Sequence, residues 1–269
     1  MYWYDGELIS SNSIELSLDN PGLLYGATVF TTLRIYQQSL EHPLTNWAAH
    51  WQRLHHAIKT VAWESPNWDN IKQGTKTLIS HFPVLRITLF PDGKELITGR
   101  NLPEDLAKSQ TQGVSAWLAA KGDYTRSLPN LKTGNYLAPW LALKEAQKLG
   151  AKEAILVDVK GNWLESSTGN LWGWKNGCWY TPPLKAGILS GTMRQQLLNW
   201  LEFSQQPKQT TTIWDKSFVQ ELEAIAYTNS VVEVIPIHTI SRTQGDLKYN
   251  PHHLSLGQLK DFFIANKKL

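Results

Sequence analysis

The sequence predicts an α/β chain of mixed strands and helices, arranged in two lobes. Its 269 residues, 42% of them hydrophobic, are enough for two ordinary domains with full cores. Strand-like and helix-like segments alternate in both halves. A loop that contains Gly122, Arg126 and Pro129 separates the halves. We therefore expect an N-terminal α/β domain at 1–120 and a C-terminal α/β domain at 121–269.

In the first half, strands flank one amphipathic helix. Asp5-Gly6 is a strong two-residue turn signal, so the segments on either side of it form a hairpin of residues 2–4 and 7–9. From Asn46 to Trp63 apolar residues recur with a 4,3,4,3 spacing, which predicts a helix capped by Thr45 or Asn46. β-Branched and aromatic residues predict the remaining strands, at 29–36, 84–90, 95–98 and 113–119.

The second half begins with a helix from about Tyr136 to Leu149, which Gly150 ends. Another helix follows Gly191, and a terminal helix runs from about Leu256 to Ala265. Short apolar runs bounded by turn residues predict strands at 154–159, 163–166, 171–174, 178–180, 224–227 and 231–237.

Composition excludes several classes of function. The net charge is only +3, and the 26 basic residues are scattered among 23 acidic ones, so we expect no nucleic-acid partner. The single cysteine, Cys178, excludes an internal disulfide and suits a reducing compartment. We find no signal peptide and no run of eighteen apolar residues, so we expect a cytoplasmic protein without a membrane span. The eight histidines form no HExxH motif, and we expect no metal site.

A few polar residues stand where a binding site could form. The glycine-punctuated loop 187–194 runs into a helix and offers free N–H groups to an anion, although a plain capped helix explains it equally well. Glu165 ends a strand and is either a site residue or an exposed strand-end acid. Arg53 on the first helix and Lys132 after a proline are ordinary solvated cations unless the rest of the chain places them in a site.

Six segments, taken in order, resemble the class IV pyridoxal-phosphate-dependent aminotransferase family, which includes branched-chain and D-amino-acid aminotransferases and 4-amino-4-deoxychorismate lyase. They are Tyr-Gly-x-x-Val-Phe-Thr-Thr-x-Arg at 25–34, Ala-His-x-x-Arg-Leu at 49–54, Lys-x-x-Asn-Tyr-Leu at 132–137, Glu-x-x-x-x-Asn-Leu-Trp at 165–172, Tyr-Thr-Pro-Pro at 180–183 and Gly-Ile-Leu-x-Gly-x-x-Arg at 187–194. The resemblance implies a two-lobed D-amino-acid aminotransferase-like fold (fold type IV), pyridoxal phosphate as cofactor, a small-molecule substrate and a homodimer.

The resemblance also implies a role for each matching residue. Lys132 corresponds to the lysine that holds pyridoxal phosphate as a Schiff base and later moves the proton. Glu165 corresponds to the carboxylate that pairs with the pyridine nitrogen, and Arg53 to the arginine that binds the phosphate. Tyr136 corresponds to a residue that bonds the ring hydroxyl. The rest of the phosphate site corresponds to Thr192, Met193, Asn229 and Ser230.

Within the family, the substrate side resembles the lyases, which carry a threonine at the position of Thr32. The favoured activity is 4-amino-4-deoxychorismate lyase, with Thr32 orienting the substrate. The alternatives are transamination of a branched-chain or D-amino acid, and a non-catalytic dimeric binding protein. Arg100 and Arg126 are possible carboxylate ligands, but we expect both to be solvated. The sequence departs from the family at 26–28 and 90–93.

Overall fold

The computed structural model describes residues 1–120 and 124–267. The chain divides into two compact units. Unit 1 comprises Met1–Pro103, Leu131–Tyr136 and the C-terminal end from Asn266, and unit 2 comprises Glu104–Asn130 and Leu137–Ala265. Across the described residues, none of the helices combines the length and the apolar character that a membrane crossing needs.

This division differs from the boundary that we expected near residue 120. The strand at Val114–Ala119 belongs to unit 2, because it pairs with two other strands of that unit, Glu233–Ser241 and Glu153–Val157. Leu131–Tyr136, which we assigned to the second domain, belongs to unit 1 instead.

Unit 1 is an antiparallel sheet of five strands with helices packed on it. The sheet order is β2-β1-β5-β4-β3. Its elements are β1 (Tyr2–Tyr4), β2 (Glu7–Ile9), α1 (Pro21–Tyr25), β3 (Val29–Arg34), α2 (Trp47–Val61), α3 (Trp68–Leu78), β4 (Val84–Leu89) and β5 (Glu95–Arg100).

The core of unit 1 lies between one face of this sheet and helices α2 and α3. Leu54 and Ile58 of α2 belong to the apolar stripe predicted from the sequence, and both are buried. Helix α3 was not predicted. Its close approach to β1 requires a glycine, because a Cβ on Gly74 would lie 2.4 Å from the ring of Trp3. The strand residues of this core cluster all lie on that one face of the sheet.

The predicted cap of α2 is only partly correct. Asn46 occupies the cap position, but it has a left-handed backbone with φ of 51° and its side chain makes no capping bond. Thr45 instead donates its hydroxyl to the Ser39 carbonyl and accepts from the Tyr36 amide. The turn before α2 is held by Thr45 rather than by a helix cap.

Unit 2 contains a mixed sheet of nine strands. The sheet order is β11-β10-β9-β12-β13-β6-β7-β8, and β14 pairs with β13. The strands are β6 (Val114–Ala119), β7 (Glu153–Val157), β8 (Trp163–Ser166), β9 (Asn170–Lys175), β10 (Cys178–Tyr180), β11 (Lys208–Gln209), β12 (Ala224–Asn229), β13 (Glu233–Ser241) and β14 (Leu247–Lys248). The helices are α4 (Leu106–Gln112), α5 (Leu137–Lys148), α6 (Thr192–Phe203), α7 (Lys216–Gln220) and α8 (Ser255–Asn266), with a short 3-10 helix at Leu184–Ala186.

The helices of unit 2 cover its sheet at defined strands. Helix α5 packs on β7 and β6, α6 on β12, and α4 on β13. The predicted helices after Tyr136 and Gly191 are confirmed within a residue or so, whereas α4 and α7 were not predicted. The returns between β7 and β8 and between β9 and β10 lie where the turn residues indicated. This packing positions the polar residues at the strand ends and at the start of α6 on the sheet of unit 2.

Candidate active site

Lys132 lies beside the edge strand of unit 1. The Phe30 amide donates to the Lys132 carbonyl at 2.8 Å, and the Gly134 amide donates to Thr28 at 2.7 Å. A Cβ on Gly134 would lie 2.0 Å from the Thr28 hydroxyl, so only glycine permits this approach. The Lys132 amine lies 4.7 Å from the centroid of the Phe30 ring and 5.4 Å from that of Tyr136. The half-buried amine is thus held against two aromatic rings and is not an ordinary solvated cation.

The sheet face of unit 1 that points away from the core carries polar side chains beside aromatic and apolar ones such as Tyr4, Phe30 and Leu96. Thr32 is half-buried, and its directly opposite neighbour in the register is Arg86. Because directly paired residues of antiparallel strands share a face, we name this surface the polar sheet face. Its polar members are Thr32, Arg34, Arg86, Thr88, Thr98 and Arg100. Phe30 lies on the same face, so the amine of Lys132 is on this side of the sheet.

Arg86 is a candidate that the sequence analysis did not identify. Its guanidinium carbon lies 3.6 Å from the centroid of the Phe30 ring, and its Nε donates to the Thr88 hydroxyl at 3.3 Å. The side chain is exposed on the polar sheet face. The signal in the sequence was a single charge inside an otherwise apolar strand, where a solvent-facing residue is the usual explanation.

Arg53 is half-buried on α2, near a buried histidine. His50 Nδ1 and the Thr31 hydroxyl share a hydrogen bond of 2.6 Å. Burial lowers the pKa of His50 well below 6.5, and the positive charges of Arg53 and Lys132 lower that pKa further. His50 is therefore neutral. Arg53 and Lys132 are thus two cations of unit 1 whose charges both act on the buried, neutral His50.

Glu165 lies at the end of β8 in unit 2, and its side chain is 8% exposed. Its Oε1 accepts the Arg126 Nε–H at 2.9 Å, and its Oε2 accepts the Leu189 amide at 3.1 Å. The interpretation of Glu165 as an exposed strand-end acid is wrong. A buried carboxylate needs such partners, because desolvation strongly disfavours an uncompensated charge.

The expectation of a solvated Arg126 is also wrong. Its side chain is 6% exposed, and besides Glu165 it contacts the Pro129 carbonyl through Nη2. Arg100, in contrast, is exposed at the end of β5, as we expected. The two arginines therefore have different roles.

The start of α6 carries hydroxyl groups and free amides in unit 2. The hydroxyls of Thr192 and Ser230 lie 2.8 Å apart. Met193 has a buried side chain, so it can offer only its backbone amide, which is in the first turn of the helix. A Cβ on Gly191 would lie 2.0 Å from Asn170 Oδ1, while the Asn170 amide donates to the Leu189 carbonyl at 2.8 Å. Thr192, Met193 and Ser230 are thus brought together.

Asn229 has a supporting position. Its side-chain oxygen accepts the amides of Val231 and Val232 at 2.9 and 3.0 Å, and its amide donates to the Thr168 carbonyl at 3.2 Å. Asn229 therefore holds the turn that presents Ser230.

Glu153 is a second buried acid that the sequence analysis missed. It accepts the hydroxyls of Ser167 and Thr168 and, at 2.8 Å, the Ala154 amide. Burial raises its pKa. Glu153 fixes the loop that directly follows Glu165, in which Ser166, Ser167 and Thr168 are three successive hydroxyl residues.

The residues of each unit fit parts of pyridoxal phosphate. In unit 1, Lys132 offers an amine for an aldehyde carbon and Arg53 offers a guanidinium for a phosphate. In unit 2, Glu165 offers a buried carboxylate for a ring nitrogen, and the start of α6 offers amides and hydroxyls for a phosphate. Within residues 1–120 and 124–267, no group of three or more His, Cys, Asp or Glu residues could hold a metal.

Two relatives illustrate the range of activities among similar proteins. The branched-chain-amino-acid aminotransferase of Escherichia coli strain K12 is 25% identical over 223 residues, which cover 73% of this chain and 71% of that protein. The aminodeoxychorismate lyase of Vibrio harveyi is 22% identical over 267 residues, which cover 93% of this chain and 94% of that protein.

Solved structures confirm the predicted fold type IV. The crystal structure of E. coli branched-chain amino acid aminotransferase matches with a TM-score of 0.82 and 21% identity over 98% of this chain and 93% of that one. A hypothetical aminotransferase from Mycobacterium tuberculosis, in its pyridoxal-phosphate-bound form, matches with a TM-score of 0.82 and 19% identity over 99% and 98% of the two chains.

A family model that matches most of the sequence confirms the family predicted from the six motifs. Residues 28–240 match the model of the family described as amino-transferase class IV, whose members are pyridoxal-phosphate-dependent enzymes. The match includes every residue to which the resemblance gave a role in cofactor or substrate binding. The chain therefore belongs to the amino-transferase class IV family.

Proposed function

We propose that the protein is a pyridoxal-phosphate-dependent 4-amino-4-deoxychorismate lyase, which yields p-aminobenzoate for folate biosynthesis, and pyruvate. The observation that carries this proposal is the polar sheet face beside Lys132, on which Thr32 is paired with Arg86. The V. harveyi relative supports it, because that lyase matches nearly the full length of both chains.

The charge of the polar sheet face suits this substrate. 4-Amino-4-deoxychorismate carries two carboxylates, and Arg34 and Arg86 give the face two guanidinium groups beside Thr32. Arginine binds carboxylates through paired N–H donors. A branched-chain amino acid, in contrast, presents an apolar side chain and needs an apolar wall.

The chain's own residues bind and orient the cofactor in this proposal. Lys132 holds the aldehyde carbon, Tyr136 the ring hydroxyl, and Glu165 the ring nitrogen. The phosphate is bound by Arg53, Thr192, the Met193 amide and Ser230, with Asn229 holding their turn. When bound, pyridoxal phosphate supplies an electron sink for the carbon that loses a proton.

Lys132 and Thr32 perform the substrate chemistry. Once the substrate amine has replaced it at the aldehyde carbon, the Lys132 amine would be free to take the proton from the amine-bearing ring carbon, while Thr32 orients the ring through its hydroxyl. The ether bond to the enolpyruvyl group then breaks. The electron pair of that bond stays on the enolpyruvyl oxygen and the ring becomes aromatic. The released enolpyruvate takes up a proton at its methylene carbon and leaves as pyruvate.

Transamination of a branched-chain or D-amino acid is the second candidate. It is supported by the E. coli aminotransferase, which at 25% has a higher identity to this chain than the lyase has. A transaminase needs an amino donor and a keto-acid acceptor, whereas the lyase needs neither.

We also propose that the protein is a homodimer. Apolar side chains are exposed in both units, at Leu23 and Leu24 of α1 and at Leu137 and Trp140 of α5. Clusters of this kind on a protein surface are typical of subunit interfaces.

Product assays distinguish the two activities. Purified protein loaded with pyridoxal phosphate should convert 4-amino-4-deoxychorismate to p-aminobenzoate without any added keto acid. Separate incubation with L-leucine or D-alanine should leave the absorption of the bound cofactor unchanged. Conversion of the cofactor to its pyridoxamine form by an amino acid, without release of p-aminobenzoate, would establish transamination instead.

Removing the lysine amine tests the cofactor site. Lys132→Ala should abolish the adduct that borohydride fixes on the protein, because alanine has no amine to which the cofactor could be attached. Mass spectrometry of tryptic peptides locates the adduct. Lys72→Ala, which removes an exposed lysine of the same unit, should retain it. An unchanged adduct in Lys132→Ala contradicts the proposal, and a wild-type protein that forms none is a non-catalytic binding protein.

A further inference from the structure

Arg126 and Glu165 form an ion pair whose side chains are 6% and 8% exposed. The pair joins Arg126 Nε to Glu165 Oε1 at 2.9 Å, and the Leu189 amide donates to the other carboxylate oxygen at 3.1 Å. Each oxygen therefore has at least one donor. Arg126 also contacts the Pro129 carbonyl, so that its guanidinium is fixed to the backbone as well as to the acid.

The ion pair with Arg126 affects the protonation of Glu165 as well as its orientation. Both donors bond the ionised form of a carboxylate, and the adjacent cation favours that form further. Protonation of Glu165 would weaken both bonds, because the oxygens of a neutral carboxyl group are poorer acceptors than those of a carboxylate. The carboxylate is consequently held as an anion, in one orientation, inside unit 2.

We propose that Arg126 is a positioning residue that keeps Glu165 ionised and oriented, so that a proton shared with the cofactor's ring nitrogen stays on the nitrogen. This inference rests on the proposed function, because Glu165 pairs with that nitrogen only if the protein binds pyridoxal phosphate. A protonated ring nitrogen withdraws electrons more strongly than a neutral one, so Arg126 acts on the reaction without touching the substrate or the cofactor.

The direction of the effect follows from charge. Without the guanidinium, Glu165 becomes more basic and competes for the shared proton. The proton then moves from the ring nitrogen to the carboxylate. An arginine neighbour lowers a carboxylate pKa by about 1–3, so the ratio of protonated to neutral nitrogen should fall roughly tenfold or more.

The nitrogen-15 NMR shift of labelled pyridoxal phosphate reports this protonation directly. In the wild-type holoenzyme the ring nitrogen should stay protonated from about pH 6 to pH 9, the range that lies between the ordinary pKa values of carboxylates and lysines. In Arg126→Gln, which keeps an N–H donor but no charge, the signal should move toward that of the neutral nitrogen. Arg126→Lys, which keeps the charge, should restore most of the wild-type shift.

Activity gives a second readout. Arg126→Gln should lower kcat while leaving KM nearly unchanged, since Arg126 is not a substrate ligand in the proposed site. A wild-type shift in Arg126→Gln, or equal loss in the lysine and glutamine variants, overturns the inference. So does a neutral ring nitrogen in the wild-type holoenzyme, which needs no variant to fold.

Borohydride trapping of the wild-type protein separates this inference from the proposed function. A wild-type protein without the Lys132 adduct contradicts the cofactor site itself. If the protein forms the adduct but its nitrogen-15 shift is the same in the wild type and in Arg126→Gln, only the role of Arg126 is contradicted.

Discussion

At the scale of single residues, unit 1 contains a buried, neutral histidine that is affected by the charges of two nearby cations. His50 is 1% exposed and bonds Thr31 across α2 and β3. A charged imidazole there would be desolvated and would face the positive charges of Arg53 and Lys132. The neutral histidine adds no third positive charge to those of Arg53 and Lys132.

The stability of the protein should reflect the lowered pKa of His50. The unfolded chain takes up a proton near pH 6.5, the ordinary pKa, whereas the folded chain does not until a much lower pH. The stability contribution is therefore present above about pH 6.5 and is lost as the pH falls below it. Relative to His50→Gln, the wild-type protein should lose about 1 kcal/mol between roughly pH 7 and pH 5.5.

Urea unfolding at the two pH values measures this difference. His56→Gln removes an exposed histidine from the same helix and is the matched control. If the His50→Gln protein loses as much stability as the wild type, His50 is already charged in the folded state.

Residue-scale predictions from the sequence named candidate residues but did not describe their surroundings. The motif order identified Lys132 and Glu165 as candidates. It did not indicate that Arg126 pairs with Glu165 or that Arg86 covers Phe30, because the partners in each contact are far apart in the sequence.

At the scale of elements, the start of α6 depends on a glycine. Gly191 has an ordinary extended backbone, so it is not needed for its φ. It is needed for space, because Asn170 Oδ1 lies where a Cβ would be. The bond from Asn170 to the Leu189 carbonyl keeps the loop before α6 in place.

Gly191→Ala should therefore weaken pyridoxal-phosphate binding while preserving the fold. The new methyl group displaces the end of the Asn170 side chain rather than any backbone atom. We expect roughly a tenfold rise in Kd, which corresponds to about 1.4 kcal/mol. Fluorescence titration of the apoprotein with the cofactor measures it.

Gly257→Ala is the control for this variant. Gly257 lies in α8 and has nothing within 4 Å of the Cβ position. Alanine there should leave the Kd unchanged and slightly stabilise the helix. Equal cofactor affinity in both variants would show that the Asn170 contact does not shape the phosphate site.

Elements with a strong apolar period were predicted, and weakly apolar ones were missed. The stripe of α2 is long and regular. In α3, the buried positions include Gly74 and Thr75, so the apolar period is diluted. Asn67, which caps α3 by accepting the amides of Asp69 and Asn70, was the available signal.

At the scale of the whole molecule, unit 1 exposes an apolar segment at α1. Gly22 faces the Phe90 ring, where a Cβ would lie 2.8 Å from a ring carbon. The rest of the helix therefore points outward, with Leu23 58%, Leu24 53% and Tyr25 74% exposed. In the proposed homodimer, a second copy of the chain covers this segment.

The double variant Leu23→Glu/Leu24→Glu should shift the protein from dimer to monomer. Two carboxylates in an apolar interface must be desolvated without partners, which strongly disfavours association. Light scattering coupled to size-exclusion chromatography measures the mass. Leu254→Glu alters a leucine that is 92% exposed in unit 2 and should remain dimeric. A dimer that tolerates the double variant excludes α1 from the interface.

The sequence by itself determined the mixed α/β class, most helices and strands, and the family, because these depend on local periodicity and on motif order. Only the tertiary structure decided which polar groups are buried and paired. Glu165 meets Arg126 across 39 positions and Leu189 across 24, and Leu131–Tyr136 joins unit 1 from the middle of the chain. Such long-range contacts set desolvation and charge, and no local pattern of residues encodes them.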